Sequence, residues 1–99
     1  MAVFGSFNAA LGSHNVAGLQ AAFPGMPQKA VKGYQNLFKD FPKVKISDDC
    51  PASALSISGG TATLSCTETT VIPGEKPQGG SIHFTFTKKS GTWAIADRQ

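Results

Sequence analysis

The chain has 99 residues, 40% of them hydrophobic and 15% charged, a length that supports one compact domain with a single core and is too short to divide into two. No apolar run approaches the roughly 18 to 20 residues of a membrane span, so the chain is not itself expected to cross a bilayer. Nine Lys and Arg against six Asp and Glu give a formal charge of +3. Arg98 is the one arginine, and Lys29, Lys32, Lys39, Lys43 and Lys45 fall on the polar sides of their segments. No aromatic residues alternate with these lysines to stack on bases, so no nucleic-acid partner is expected.

Met1 to Gly12 has no basic leader, no unbroken apolar stretch and no small-residue cleavage site, and does not read as a signal peptide. The chain opens inside a helical pattern and stops abruptly at Gln99. Residues 1–99 therefore read as a single domain excised from a larger protein, with any membrane attachment supplied by that parent.

Val3, Phe4, Phe7, Ala10 and Leu11 recur at three- and four-residue spacing and predict a first helix ending near Gly12. Asn15 offers a side-chain cap to a second helix carrying Val16, Leu19, Ala22 and Phe23, which Pro24 and Gly25 stop. Pro27 suits the first turn of a third helix, where its missing N–H is not needed. Ala30, Val31, Tyr34, Leu37, Phe38 and Phe41 form that helix's apolar stripe, and Pro42 ends it.

From Lys43 the period changes from 3.6 to 2. Val44 and Ile46 alternate with Lys43, Lys45 and Ser47, and Leu55 and Ile57 alternate with Ala54, Ser56 and Ser58. Gly59 and Gly60 suit a tight hairpin turn. Thr61 to Ile72 puts Ala62, Leu64 and Cys66 on one face, with Thr61, Thr63, Ser65, Thr67 and Thr69 on the other. A polar loop from Pro73 to Gly80 follows. Ile82, Phe84 and Phe86 then alternate with Ser81, His83, Thr85 and Thr87, and a turn at Ser90 and Gly91 leads to a last strand with Trp93 and Ile95.

Pairing Ser58 with Thr61 sets Ile57 opposite Ala62 and Leu55 opposite Leu64, so both strands offer apolar residues to one face. A symmetric turn about Glu75 and Lys76 sets Cys66 near Phe86, and the turn at Ser90 and Gly91 sets Phe86 near Ile95. Helices followed by strands, with one sheet face apolar and the other rich in Ser and Thr, define an α+β fold. Three N-terminal helical segments pack on the concave face of a curved antiparallel sheet of four to five strands.

This order and several local phrases resemble the nuclear-transport-factor-like (cystatin-like) α+β cone superfamily, especially its small bacterial accessory domains. The residues that carry the resemblance are Phe7 to Leu11 with His14 to Leu19, Phe23-Pro24-Gly25-Met26-Pro27, the helix reaching Leu37-Phe38, Gly59 to Cys66, and the closing Gly91-Thr92-Trp93-Ala94-Ile95. None of these motifs is catalytic, so the resemblance implies a fold and not an activity.

The resemblance places a pocket between the concave face and the helices, with Tyr34, Glu68, Phe84, Trp93 and Asp97 as its candidate residues. Glu68 continues the parity of Leu64 and Cys66, and Asp97 that of Trp93 and Ile95. In the simple register Glu68, Phe84 and Asp97 share one cross-strand rung, where two carboxylates in an apolar pocket could supply a general acid or base. The competing reading puts both acids at a wet sheet edge, paired with Lys or Arg, and Tyr34 in the core with its hydroxyl at the rim. Ketosteroid isomerase, an enzyme of this fold, pairs an Asp with a Tyr in a longer cone. Here the Phe-rich third helix leaves little room for substrate.

His14 and His83 belong to different surfaces, and no neighbouring residues have metal-ligand spacing, so neither a metal nor another cofactor is expected. No nucleophile elbow is present, and Gly59-Gly60 and Gly79-Gly80 read as turns between strands and not as phosphate cradles. Strict alternation puts Cys66 inward and Cys50 outward. A bulge at Pro51 would reset that parity and permit a bridge between them, closing a loop of about 15 residues worth about 3 kcal/mol. Such a bridge implies an oxidising, extracytoplasmic location, periplasmic or at the cell surface; the alternative is two small buried thiols.

The expected function is that of a non-catalytic accessory domain that binds a protein partner or small ligand, or self-associates. The resemblance implies a homodimer through the outer sheet face, rich in Thr63, Ser65, Thr67, His83, Thr85 and Thr87. The alternatives are a small isomerase- or dehydratase-like enzyme using Glu68 or Asp97 with Tyr34, and a binder of anionic surfaces through the helix lysines.

Overall fold

A computed structural model describes residues 2–99. Three helices, α1 (Ala2–Gly12), α2 (Val16–Ala22) and α3 (Gln28–Asp40), precede five strands. These are β1 (Lys45–Asp49), β2 (Leu55–Ser58), β3 (Thr61–Val71), β4 (Gln78–Lys89) and β5 (Thr92–Arg98), with a 3-10 turn over Ala52–Ala54. The strands form one antiparallel sheet of order β1-β3-β4-β5, and β2 pairs with the other half of β3. Helices on one face of a curved antiparallel sheet are the α+β cone expected from the change of period.

The helix boundaries follow from backbone bookkeeping. At the end of α1, His14 takes a left-handed φ of 56°. The N–H of Asn15 donates to the C=O of Ala10 and that of His14 to the C=O of Leu11, satisfying two carbonyls the helix leaves open. Asn15 then caps α2 by accepting from the N–H of Gly18 at 3.0 Å. The His14 ring stacks on Phe38 at 4.3 Å and lies 2.7 Å from the C=O of Val44, tying the α1–α2 turn to α3 and the approach to β1. Pro27 lies just before α3, one position earlier than its expected place. Phe41, expected in the α3 stripe, falls after the helix and is 43% exposed.

The core joins both layers. Phe7 and Leu11 of α1, Leu19 of α2, and Phe84 and Phe86 of β4 are fully buried, with Val44 and Ile95 beside them. Phe4 and Phe7 meet the Phe84 ring edge-on at 5.5 and 5.6 Å, and Phe86 stacks beside Phe84 at 5.8 Å. Such pairs contribute about 0.5 to 1.5 kcal/mol each beyond the area they bury.

The β2–β3 register is the expected one, with Leu55 opposite Leu64 and Ile57 opposite Ala62. The β3–β4 register differs by four residues: Cys66 lies opposite Ile82 and Phe86 opposite Ala62. The turn is centred on Gly74, whose φ of 87° suits glycine, and not on Glu75 and Lys76. Strand β4 therefore starts at Gln78, and Gly79 and Gly80 are strand residues opposite Thr69 and Glu68 instead of turn residues. The slip is even, so every side chain keeps its expected face.

Cys50 and Cys66 are joined by a disulfide. No parity reset is needed for it. Cys50 follows Val44, Ile46 and Asp48 in the inward series and directly continues the β1–β3 ladder, where Asp49 pairs with Thr67. Pro51 ends that ladder, because it has no N–H to donate, and the 3-10 turn carries the chain outward before β2 rejoins the same edge of β3.

Candidate functional site

The alternation of β1 buries Ile46 and then Asp48, while Lys45, Ser47 and Asp49 face out. On β3 the inward series Ala62, Leu64, Cys66 continues to Glu68. The β1–β3 register makes Asp48 and Glu68 cross-strand partners, setting two carboxylates side by side on the concave face.

The compensating charge comes from β5. Phe86 pairs with Ile95, but Thr85 pairs with Asp97, so Ala96 is the extra residue of a β-bulge. A bulge reverses the face of every later residue on its strand. Asp97, expected inside, is exposed on the outer face, accepting hydrogen bonds from the backbone N–H of Arg98 and the side chain of Gln99. Arg98 turns inward opposite Phe84. Its guanidinium forms a salt bridge with Glu68 and stands 4.0 Å from the Asp48 carboxylate. It also lies over the Phe7 and Phe84 rings, each at 5.6 Å, where π faces attract a cation.

Asp48 is the most constrained member of the group. Its side chain has no exposed surface, and neither carboxylate oxygen accepts a hydrogen bond among the described residues. Burial, reinforced by the charge of Glu68 and opposed by that of Arg98, pushes its pKa up to about 6. Tyr34 reaches the cluster from α3. Burial pushes its phenol pKa above the usual value, while the Arg98 charge pulls it down and the two carboxylates push it up.

The expected pocket residues therefore separate. Glu68 pairs with Arg98, and Tyr34 feels the charges of Arg98, Glu68 and Asp48. Phe84 is a core residue with no exposed surface. Trp93 lies apart from the cluster, with the Lys88 ammonium 5.9 Å from its ring centre, and lines a separate groove on the outside of the cone. That groove, about 780 Å³, runs between α1, α2 and the β4–β5 turn and is floored by Val3, Ala9, Ala10, Gly18 and Ala22. On the outer sheet face, Ser65 Oγ lies 3.0 Å from His83 Nδ1. No group of three His, Cys, Asp or Glu able to hold a metal occurs among the described residues, and no helix among them is long and apolar enough to cross a membrane.

No protein-family model matches the chain, and no curated protein matches it in sequence. Its similarity to solved structures is one of shape. Bd1075 of Bdellovibrio bacteriovorus matches with a TM-score of 0.78 at 12% identity over 97% of this chain and 36% of that one. A Nostoc punctiforme protein of unknown function with a cystatin-like fold matches with a TM-score of 0.75 at 15% identity over 100% of this chain and 84% of that one. A candidate dehydratase of the NTF2-like family from Streptomyces avermitilis matches with a TM-score of 0.71 at 15% identity over 98% of this chain and 88% of that one. The chain has the cystatin-like, NTF2-like fold, and it spans about a third of the length of Bd1075.

Proposed function

We propose that the chain is a non-catalytic accessory domain acting outside the cytoplasm as part of a larger protein, and that it self-associates or receives a partner on its surface. The observation that carries this reading is the filled cone. Phe7, Leu11, Leu19, Phe84 and Phe86 leave no exposed surface where an enzyme of this fold would need room for substrate. The charged groups at the mouth are occupied with one another, Glu68 with Arg98 and Arg98 with two aromatic faces. The Cys50–Cys66 bridge supports an oxidising compartment. The hydroxyl-rich outer face, where Thr63 and Thr85 form a central rung, supports self-association there.

Light scattering across a concentration series tests the reading. The expected result is a dimer that Thr63→Arg converts to a monomer of unchanged thermal stability. A monomer at every concentration removes the self-association.

One observation favours a second reading, a small isomerase- or dehydratase-like enzyme. Asp48, a buried acid with its pKa pushed up to about 6 beside Glu68 and Tyr34, has the character of a general base. Titration with small apolar ketones, followed by NMR, separates the two readings. A filled cone leaves the signals of Phe84 and Tyr34 unmoved, whereas saturable shifts there favour the enzyme.

A further inference from the structure

Asp48 is held by three elements at once. Asn8 of α1 clamps its backbone, accepting from its N–H at 3.1 Å and donating to its C=O at 3.4 Å. Glu68 of β3 faces its side chain across the ladder, and Arg98 of β5 approaches it to 4.0 Å. When all three charged groups are ionised, two carboxylates share one guanidinium that Glu68 already engages, leaving one negative charge uncompensated in an apolar setting. When Asp48 is protonated the group is neutral. An ionised Asp48 needs hydrogen-bond donors for two oxygens that the protein leaves unpartnered, and water can supply them only if the mouth of the cone loosens.

We propose that Asp48, Glu68 and Arg98 form a proton-operated latch at the mouth of the cone, closed when Asp48 is protonated and loosened along β1 when it is ionised. The latch goes beyond the accessory role proposed above, because it makes the local pairing of β1 at the cone mouth respond to pH. Among the described residues, the charged groups acting on Asp48 are those of the latch: Glu68 from β3 and Arg98 from β5. Tyr34 of α3 feels the same three charges, and α1 faces Asp48 with the uncharged Asn8. The pKa of about 6 puts the switch in a range that a cell exterior crosses. The disulfide at Cys50 pins the rung after β1, so opening is confined to the five residues Lys45–Asp49 and leaves the rest of the sheet paired.

Amide hydrogen exchange on the disulfide-intact protein at pH 5 and pH 7.5, corrected for intrinsic rates, tests the latch. Protection of the Ser47 and Asp49 amides, which face β3 in the ladder, is expected to fall about tenfold or more at the higher pH, while that of Leu64 and Phe84 stays level. In Asp48→Asn the difference is expected to vanish. Equal or greater β1 protection at pH 7.5, or a pH dependence that persists in Asp48→Asn, overturns the proposal. Should Asp48→Asn not fold, Glu68→Gln decides. Freeing Arg98 for Asp48 must move the midpoint of the change to lower pH, and an unmoved midpoint overturns the latch.

Discussion

Asp48 and Glu68 are direct cross-strand partners on the buried face of the sheet, and one guanidinium, that of Arg98, serves both. Like charges so placed repel one another unless a cation or a proton intervenes. The cation arrives because of a single extra residue, Ala96, in β5.

Stability should depend on pH in a direction set by Asp48. Its folded pKa of about 6 lies above its ordinary value of 3.8, so the folded state binds the proton more tightly than the unfolded chain does. The resulting stabilisation is fully present below about pH 4 and is lost as pH rises through about 6, with an upper bound of about 3 kcal/mol at roughly 1.4 kcal/mol per pKa unit. Urea unfolding from pH 4 to 8 should show this loss in the native chain relative to Asp48→Asn. Parallel curves for the two proteins contradict it.

Substitution of neighbouring charges on β5 should give opposite outcomes. Arg98→Met strands two carboxylates on the buried face and should cost about 3 to 5 kcal/mol at pH 7.5, and less at pH 5. Asp97→Ala removes an exposed carboxylate and should stay within about 0.5 kcal/mol. Thermal or urea unfolding of the two variants checks the bulge, since without it the two residues would exchange faces and the costs would be reversed.

Opening the Cys50–Cys66 bridge should destabilise the domain by about 2 to 4 kcal/mol, because its ends are 16 residues apart and the loop it closes regains freedom in the unfolded chain. Cys50→Ala with Cys66→Ala, compared with the native protein in denaturant, measures this loss. Alkylation of the untreated protein should modify neither cysteine. Free reaction at both would leave the extracytoplasmic reading without its support.

The periodicities in the sequence are sufficient for the three helices, a sheet of four to five strands and the inward faces of β3 and β4, since the strand faces depend on parity, which survives an even register slip. Glu68 is placed on the inward face for the same reason, and Tyr34 by the helical spacing of the α3 stripe. Asp48 is legible from parity, as the next member of the series Val44, Ile46, and the same count carries Cys50 inward without a bulge. Arg98 was not legible. Its face depends on Ala96 being left out of the ladder, and nothing in the run Trp93 to Arg98 distinguishes a bulge from regular alternation. Regular alternation would place Asp97 inside, and the extra residue turns it out. The true turn at Gly74 was obscured because Pro73 to Gly80 contains several residues that suit a turn.

The most direct measurement is an NMR titration of the side-chain carboxyl carbon of Asp48 in the disulfide-intact protein. A carboxylate buried against Glu68 and only partly compensated by Arg98 should titrate with a midpoint near 6, with a simultaneous change at Arg98 Nε. A midpoint near the ordinary 3.8 would mean that water or a cation already satisfies Asp48, and would contradict a closed cone mouth.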